Sequence, residues 1–205
     1  MLLEEFKKLG VYFEIDRYAA LLKEGARQVF GEDFDNRDVK EELVFVTPEL
    51  LDKMVDATDY IQLKLGLDPL QFTVWNHSCI KYLDSLTWIS PRLFQQIVDT
   101  EVGRSVDPNI WVDYLKRKQG NLIIPDVRFG NEEVDYNILI VRNPVPKGKI
   151  HPSEAYAVDL RLQEYPELYV DCMVINRTTL GDLRKQAADI AKQIVFTCKS
   201  QGSPL

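Results

Sequence analysis

Asp126 and Arg128 stand at the end of a short apolar run, Asn121-Leu-Ile-Ile-Pro125, and Arg142 closes a second one, Tyr136 to Val141. Short apolar runs of this kind read as buried strands. Where such strands alternate with helices they form a parallel sheet, and its ligand site lies beyond the carboxyl ends of the strands. One carboxylate and two guanidinium groups placed there suit a phosphorylated ligand. The planar fork of arginine can hold two phosphate oxygens at once. The same residues also read as a strand end running into a helix, with Asn131 as the cap.

Two further constellations carry polar chemistry. In Pro91-Arg92-Leu-Phe-Gln95-Gln96-Ile-Val-Asp99-Thr100-Glu101-Val-Gly103-Arg104, helical spacing places Arg92, Gln95 and Gln96 on one side. A solvated helix face gives the same pattern. His151-Pro-Ser153-Glu154 follows a basic loop, Lys147-Gly-Lys149. Taken by itself it reads as a turn with Ser153 capping a short helix.

The elements that must position these groups are legible in outline. Residues 2–9 read as a helix stopped by Gly10, and 11–15 as a strand. Residues 19–30 carry apolar side chains at helical spacing and end at Gly31. Thr47-Pro48 and Ser90-Pro91 are cap-and-proline helix starts, opening helices over 47–62 and 91–102. Residues 63–89 read as a helical insertion. A helix is expected from about 109 to 118, strands at 121–125, 136–141 and 168–175, and a last helix over about 180–197. The fold class expected is α/β, a mainly parallel sheet flanked by helices.

The bulk composition excludes several functions. A net charge of −7 supplies no basic face for gripping nucleic acid, so no direct nucleic-acid binding is expected. A small molecule, a protein partner or a second copy of the chain fits better. Cys79, Cys172 and Cys198 lack metal-like spacing and read as reduced thiols of a cytoplasmic protein. Two histidines are too few for a His-rich zinc site. No apolar run reaches the roughly 18 residues of a membrane span, and the charged stretch MLLEEFKKLG does not read as a signal peptide.

Taken in order, RLFQQIVDTEVGR, DPNIWVDYL, LIIPDVRFGNEEV, ILIVRN and HPSE resemble the phage-type deoxynucleoside monophosphate kinases. That family carries an Arg-x-x-Gln helix running into a Gly-Thr-Glu-x-Gly-Arg turn and an x-x-x-Trp helix. An Asp-x-Arg-Phe-x-Asn-Glu strand end, an arginine after the next strand and a His-x-Ser-Glu element follow. Upstream, YAALLKEGARQVFG and NRDVKEE look like its Phe-Ala-x-x-Leu-Lys helix and Arg-x-x-Lys-Glu loop. INRTTLGDLRKQ looks like its last helix. The likeness covers about residues 10–195.

The resemblance implies a single P-loop kinase-like domain over 1–205, with 31–90 as the substrate-side helical region and 142–155 as a lid. It implies that Arg92, Gln96, Thr100, Arg104 and Trp111 line a deoxynucleoside monophosphate pocket. Asp126, Arg128 and Arg142 would sit beside the transferring phosphates as catalytic groups, with His151 in the lid on the substrate side. ATP and Mg²⁺ would be the cofactors, and a phage-infected bacterial cytoplasm the setting. Phosphoryl transfer needs mainly positioning and charge neutralisation, which suits this set.

Three departures matter. No Gly-x-x-x-x-Gly-Lys loop occurs in the chain, and Gly148-Lys149 is its one Gly-Lys pair. That loop cradles the ATP phosphates on backbone N–H groups. The family's first strand, normally the central one, is missing with it, so a gap or a new pairing is expected. Asp99 stands where the family has glycine, and Gly130 where it often has proline. The expectation is therefore a kinase-like protein with little or no activity in the isolated chain. The alternatives are a degenerate nucleotide-binding or regulatory protein, or a structural or interaction protein that kept the fold.

Overall fold

The computed structural model describes residues 1–127, 130–132, 134–141, 159, 163, 165, 169–176 and 179–200. The chain forms two compact units. Unit 1 comprises 1–16 and 119–205, and unit 2 is the continuous segment 17–118.

In unit 1, helix α1 (Leu2–Lys8) leads into strand β1 (Phe13–Ile15), which pairs in parallel with β4 (Asn121–Ile123). Phe13 lies opposite Asn121 and Ile15 opposite Ile123. A second parallel pair joins β5 (Ile138–Val141) to β6 (Cys172–Ile175), with Ile138 opposite Cys172. The last helix, α9 (Leu180–Ser200), packs on α1. Its Ile190, Ala191, Ile194 and Val195 bury together with Phe6, Val11 and Val174. Phe13, Ile123, Ile138 and Cys172 pack against the same cluster, so both strand pairs share one apolar core. The four strands fall within the stretches expected from the sequence and are shorter than those stretches. Among the described residues the two pairs are not hydrogen-bonded to each other.

Unit 2 is mostly helical, in the order α2 (Ala20–Phe30), α3 (Arg37–Lys40), β2 (Val44–Phe45), α4 (Pro48–Leu65), α5 (Pro69–Leu83), β3 (Trp88–Ile89), α6 (Pro91–Gln96), a π-helical turn (Ile97–Gly103), α7 (Arg104–Val106) and α8 (Ile110–Lys116). The helix starts follow from local chemistry. Thr47 Oγ1 accepts the Leu50 N–H at 3.2 Å, and Ser90 Oγ accepts that of Leu93 at 3.1 Å. Asp68 and Gln71 form a reciprocal capping box ahead of α5, satisfying donors the helix leaves orphaned. α4 stops at Gly66, whose φ of 59° favours a residue without Cβ.

α2 crosses α4 closely because Gly25 has no side chain: a Cβ there would lie 2.6 Å from Ile61 Cδ1. Met54, Ala57, Ile61, Trp75, Phe94, Val98, Val102 and Trp111 are buried. The stretch 31–90, expected as a helical insertion, lies inside this unit. β2 and β3 add an isolated antiparallel ribbon. No described helix is long and apolar enough to cross a membrane.

Candidate functional site

The helix expected over 91–102 changes character halfway. α6 carries Arg92 and Gln96, and from Ile97 the chain widens into the π-helical turn through Gly103. π-Helical segments are rare and frequent at functional sites. Here the widening brings Asp99 and Arg104 together. Five residues along an α-helix rotate about 140° away from the starting side, whereas a π-turn bonds residue i to i+5. The Arg104 backbone N–H donates to the Asp99 carbonyl. Asp99 Oδ1 lies 3.5 Å from Arg104 Nε, and Arg104 Nη1 donates to the Pro108 carbonyl at 3.2 Å. The guanidinium is held at two points and its side chain is 15% exposed.

Trp111 supports this turn from α8. Its indole N–H donates to the Asp99 carbonyl at 3.3 Å, so one carbonyl receives both the Arg104 amide and the indole. The ring is 1% exposed and lies against Gly103. Trp111, expected from the resemblance as a pocket residue, is thus a core residue beneath the turn that carries Arg104.

Arg92 is exposed, and its Nη1 donates to Glu41 Oε1 at 2.8 Å. The contact ties α6 to the C-terminal end of α3, where Glu41 sits. Its carboxylate partner differs from that of Arg104, and an exposed pair of this kind contributes about 1 kcal/mol at most. Gln96 is half-buried and Thr100 exposed.

Asp126 lies in unit 1, half-buried in the turn after β4, at the carboxyl end of a parallel strand. Arg128, Arg142 and His151, expected on the same site, and the lid at 142–155 fall outside the described residues. Glu132, six residues after Asp126, is the one charged side chain buried among the described residues, at 4% exposure. A carboxylate is rarely buried unless something pairs with it.

A separate cleft of about 350 Å³ lies within unit 2, lined in part by Leu65, Gly66, Gln71, Ile110, Lys116 and Arg117. None of the candidate site residues lines it, although Asp107, Ile110 and Asp113 of the DPNIWVDYL stretch do. Arg117 already has a structural task there: its Nη2 donates to the Leu65 carbonyl at 2.6 Å, closing the end of α4. Among the described residues no group of His, Cys, Asp or Glu could hold a metal ion.

Two features were not legible in the sequence. Asp99 stood out only as a departure from the family's glycine, and its pairing with Arg104 was hidden because α-helical spacing sets the two on different sides. Glu132 was in view as part of a motif, but its burial leaves no periodic trace in a loop. Comparison of the chain with family models, curated proteins and solved structures finds no match.

Proposed function

We propose that this chain is a deoxynucleoside monophosphate kinase-like protein. It binds a deoxynucleoside monophosphate with Arg104 against the phosphate, and it transfers phosphate from ATP weakly or not at all. The observation that carries this reading is the interlock of Asp99, Gly103, Arg104 and Trp111. Three of these positions, Gly103, Arg104 and Trp111, match the kinase motifs, and their contacts hold an arginine in a defined orientation. A positioned guanidinium loses less freedom on gripping an anion than a free one does. The Arg92–Glu41 contact joins two more motif-like segments. Two parallel strand pairs sharing one core are also what a parallel sheet becomes without its middle strand. The reading keeps Asp126, Arg128 and Arg142 as the catalytic groups and His151 as a substrate-binding residue, as the resemblance implies. ATP and Mg²⁺ are cofactors only to the extent that transfer occurs.

The test is differential stabilisation. Anything that binds only the folded state raises the melting temperature by mass action. Each of the four deoxynucleoside monophosphates and ATP would be titrated against the chain and its Arg104→Gln variant. A larger shift with a monophosphate than with ATP, reduced by Arg104→Gln, is expected. Equal shifts, or a shift with ATP alone, would reject the proposal.

A second reading, an interaction protein, has its own observation. The β2–β3 ribbon exposes Leu43, Phe45 and Trp88, with Phe45 and Trp88 in edge-to-face contact at 5.4 Å. Contiguous exposed apolar groups mark contact surfaces. Self-association that is weakened by Trp88→Ser, with no response to any nucleotide, would favour this reading.

A further inference from the structure

We infer that Asp99 is a specificity-determining residue that attenuates anion binding at Arg104. This rests on the reading that Arg104 faces the phosphate of a bound monophosphate. The π-helical turn builds the pair: the Arg104 amide bonds the Asp99 carbonyl, and the two side chains follow, Oδ1 to Nε at 3.5 Å. Both groups are shielded, with side-chain exposures of 28% for Asp99 and 15% for Arg104, so salt screens the pair less than it screens a surface pair. A phosphate dianion drawn to Arg104 meets the Asp99 carboxylate within the same few ångströms. The arginine's charge is offset in advance, and each added negative charge on the ligand raises the repulsion.

The arrangement therefore grades ligands by charge. An inorganic phosphate or a triphosphate is penalised. A nucleoside monophosphate, which draws part of its affinity from sugar and base, is penalised proportionately less. The orientation of Arg104 does not depend on the Asp99 carboxylate alone, because the Pro108 carbonyl holds Nη1 at 3.2 Å. Nor does the fold of the turn depend on it, because Trp111 and the Arg104 amide bond the Asp99 backbone carbonyl. Removing the charge should consequently leave the arginine in place and release its field.

The experiment compares the full chain with Asp99→Asn, Arg104→Gln and the double variant. Binding of inorganic phosphate and of each deoxynucleoside monophosphate is followed by calorimetry at two salt concentrations. Circular dichroism melting establishes that each variant is folded, and Asp99→Gly provides a second variant should the amide disturb the turn. The expected result is about three- to tenfold tighter phosphate and monophosphate binding in Asp99→Asn. A steeper salt dependence should accompany it, and both gains should vanish in the double variant. Unchanged or weaker binding in Asp99→Asn, with wild-type binding still lost in Arg104→Gln, would overturn the inference and leave the functional reading standing. Absence of monophosphate binding in every protein, or binding indifferent to Arg104→Gln, would overturn both.

Discussion

A Cβ placed on Gly103 would lie 2.6 Å from Cζ2 of Trp111 and 3.0 Å from the Val98 carbonyl oxygen. No side chain fits there, so the glycine lets the indole come close enough to bond the Asp99 carbonyl. The first prediction follows. Gly103→Ala should destabilise the chain by about 1–3 kcal/mol, the usual cost of overpacking a core, despite the better intrinsic helix propensity of alanine. Trp111 is a buried ring with little room to yield. Denaturant unfolding measures the difference, and an alanine variant as stable as the parent would show that the turn repacks freely.

Asp35 provides a pH-dependent contribution. Partial burial raises its pKa, but hydrogen bonds and charge from Lys23 and Lys40 outweigh that and hold the carboxyl below its ordinary value. Lys40 Nζ lies 2.8 Å from Oδ1, and Lys23 engages Oδ2. A carboxylate whose folded pKa is depressed adds stability above its unfolded pKa of about 3.9. That stability is lost as pH falls through the lower folded value. Asp35→Asn should therefore cost stability at pH 7, by about 1 kcal/mol at most for so exposed a network. The parent and variant curves should converge toward acid. Parallel curves from pH 7 to pH 2 would refute the assignment.

Cys79 should be chemically quiet. Burial pushes its thiol up to about 12, a hydrogen bond with Thr58 works against this, and the Asp59 and Asp84 carboxylates add to the rise. The thiolate is the nucleophile, so at pH 8 only about one Cys79 in 10⁴ would be reactive at a given moment. Iodoacetamide pulses read by peptide mass spectrometry should label Cys79 far more slowly in the folded than in the urea-unfolded chain. Equal labelling rates would contradict its burial.

Much of the fold was legible because its signals are local. Thr47, Asp68 and Ser90 each precede a proline, and Thr47 and Ser90 marked helix starts that the structure reproduces. The apolar runs before Asp126 and Arg142 became parallel strands. The α5 helix was blurred because only Trp75, Ser78 and Leu83 are buried on it, while Leu70, Phe72, Val74 and Ile80 are exposed. Its sequence therefore has no clean apolar stripe. The π-turn was invisible, since seven residues at nearly helical spacing do not reveal one widened turn. With it went the pairing of Asp99 and Arg104, a contact that exists only at i+5 geometry.

The last prediction is catalytic. The chain should show little or no phosphoryl transfer from ATP to any of the four deoxynucleoside monophosphates. A phosphate cradle acts through several backbone donors aimed at the ligand, a lysine and a Mg²⁺-binding hydroxyl, and no such loop is written in the sequence. Losing one preorganised donor where charge develops commonly costs about 10²–10³ in rate, so losing the whole cradle should cost more than isolated side chains restore. Lys147 and Lys149 supply point charges without the geometry of a backbone cradle. Arg104, tied to Asp99 at 3.5 Å, brings an already offset charge. A coupled assay with ATP and Mg²⁺ measures the outcome. Turnover of about 1 s⁻¹ or more, typical of enzymes, abolished by Arg128→Ala, would show that the chain rebuilds a phosphate site from other groups.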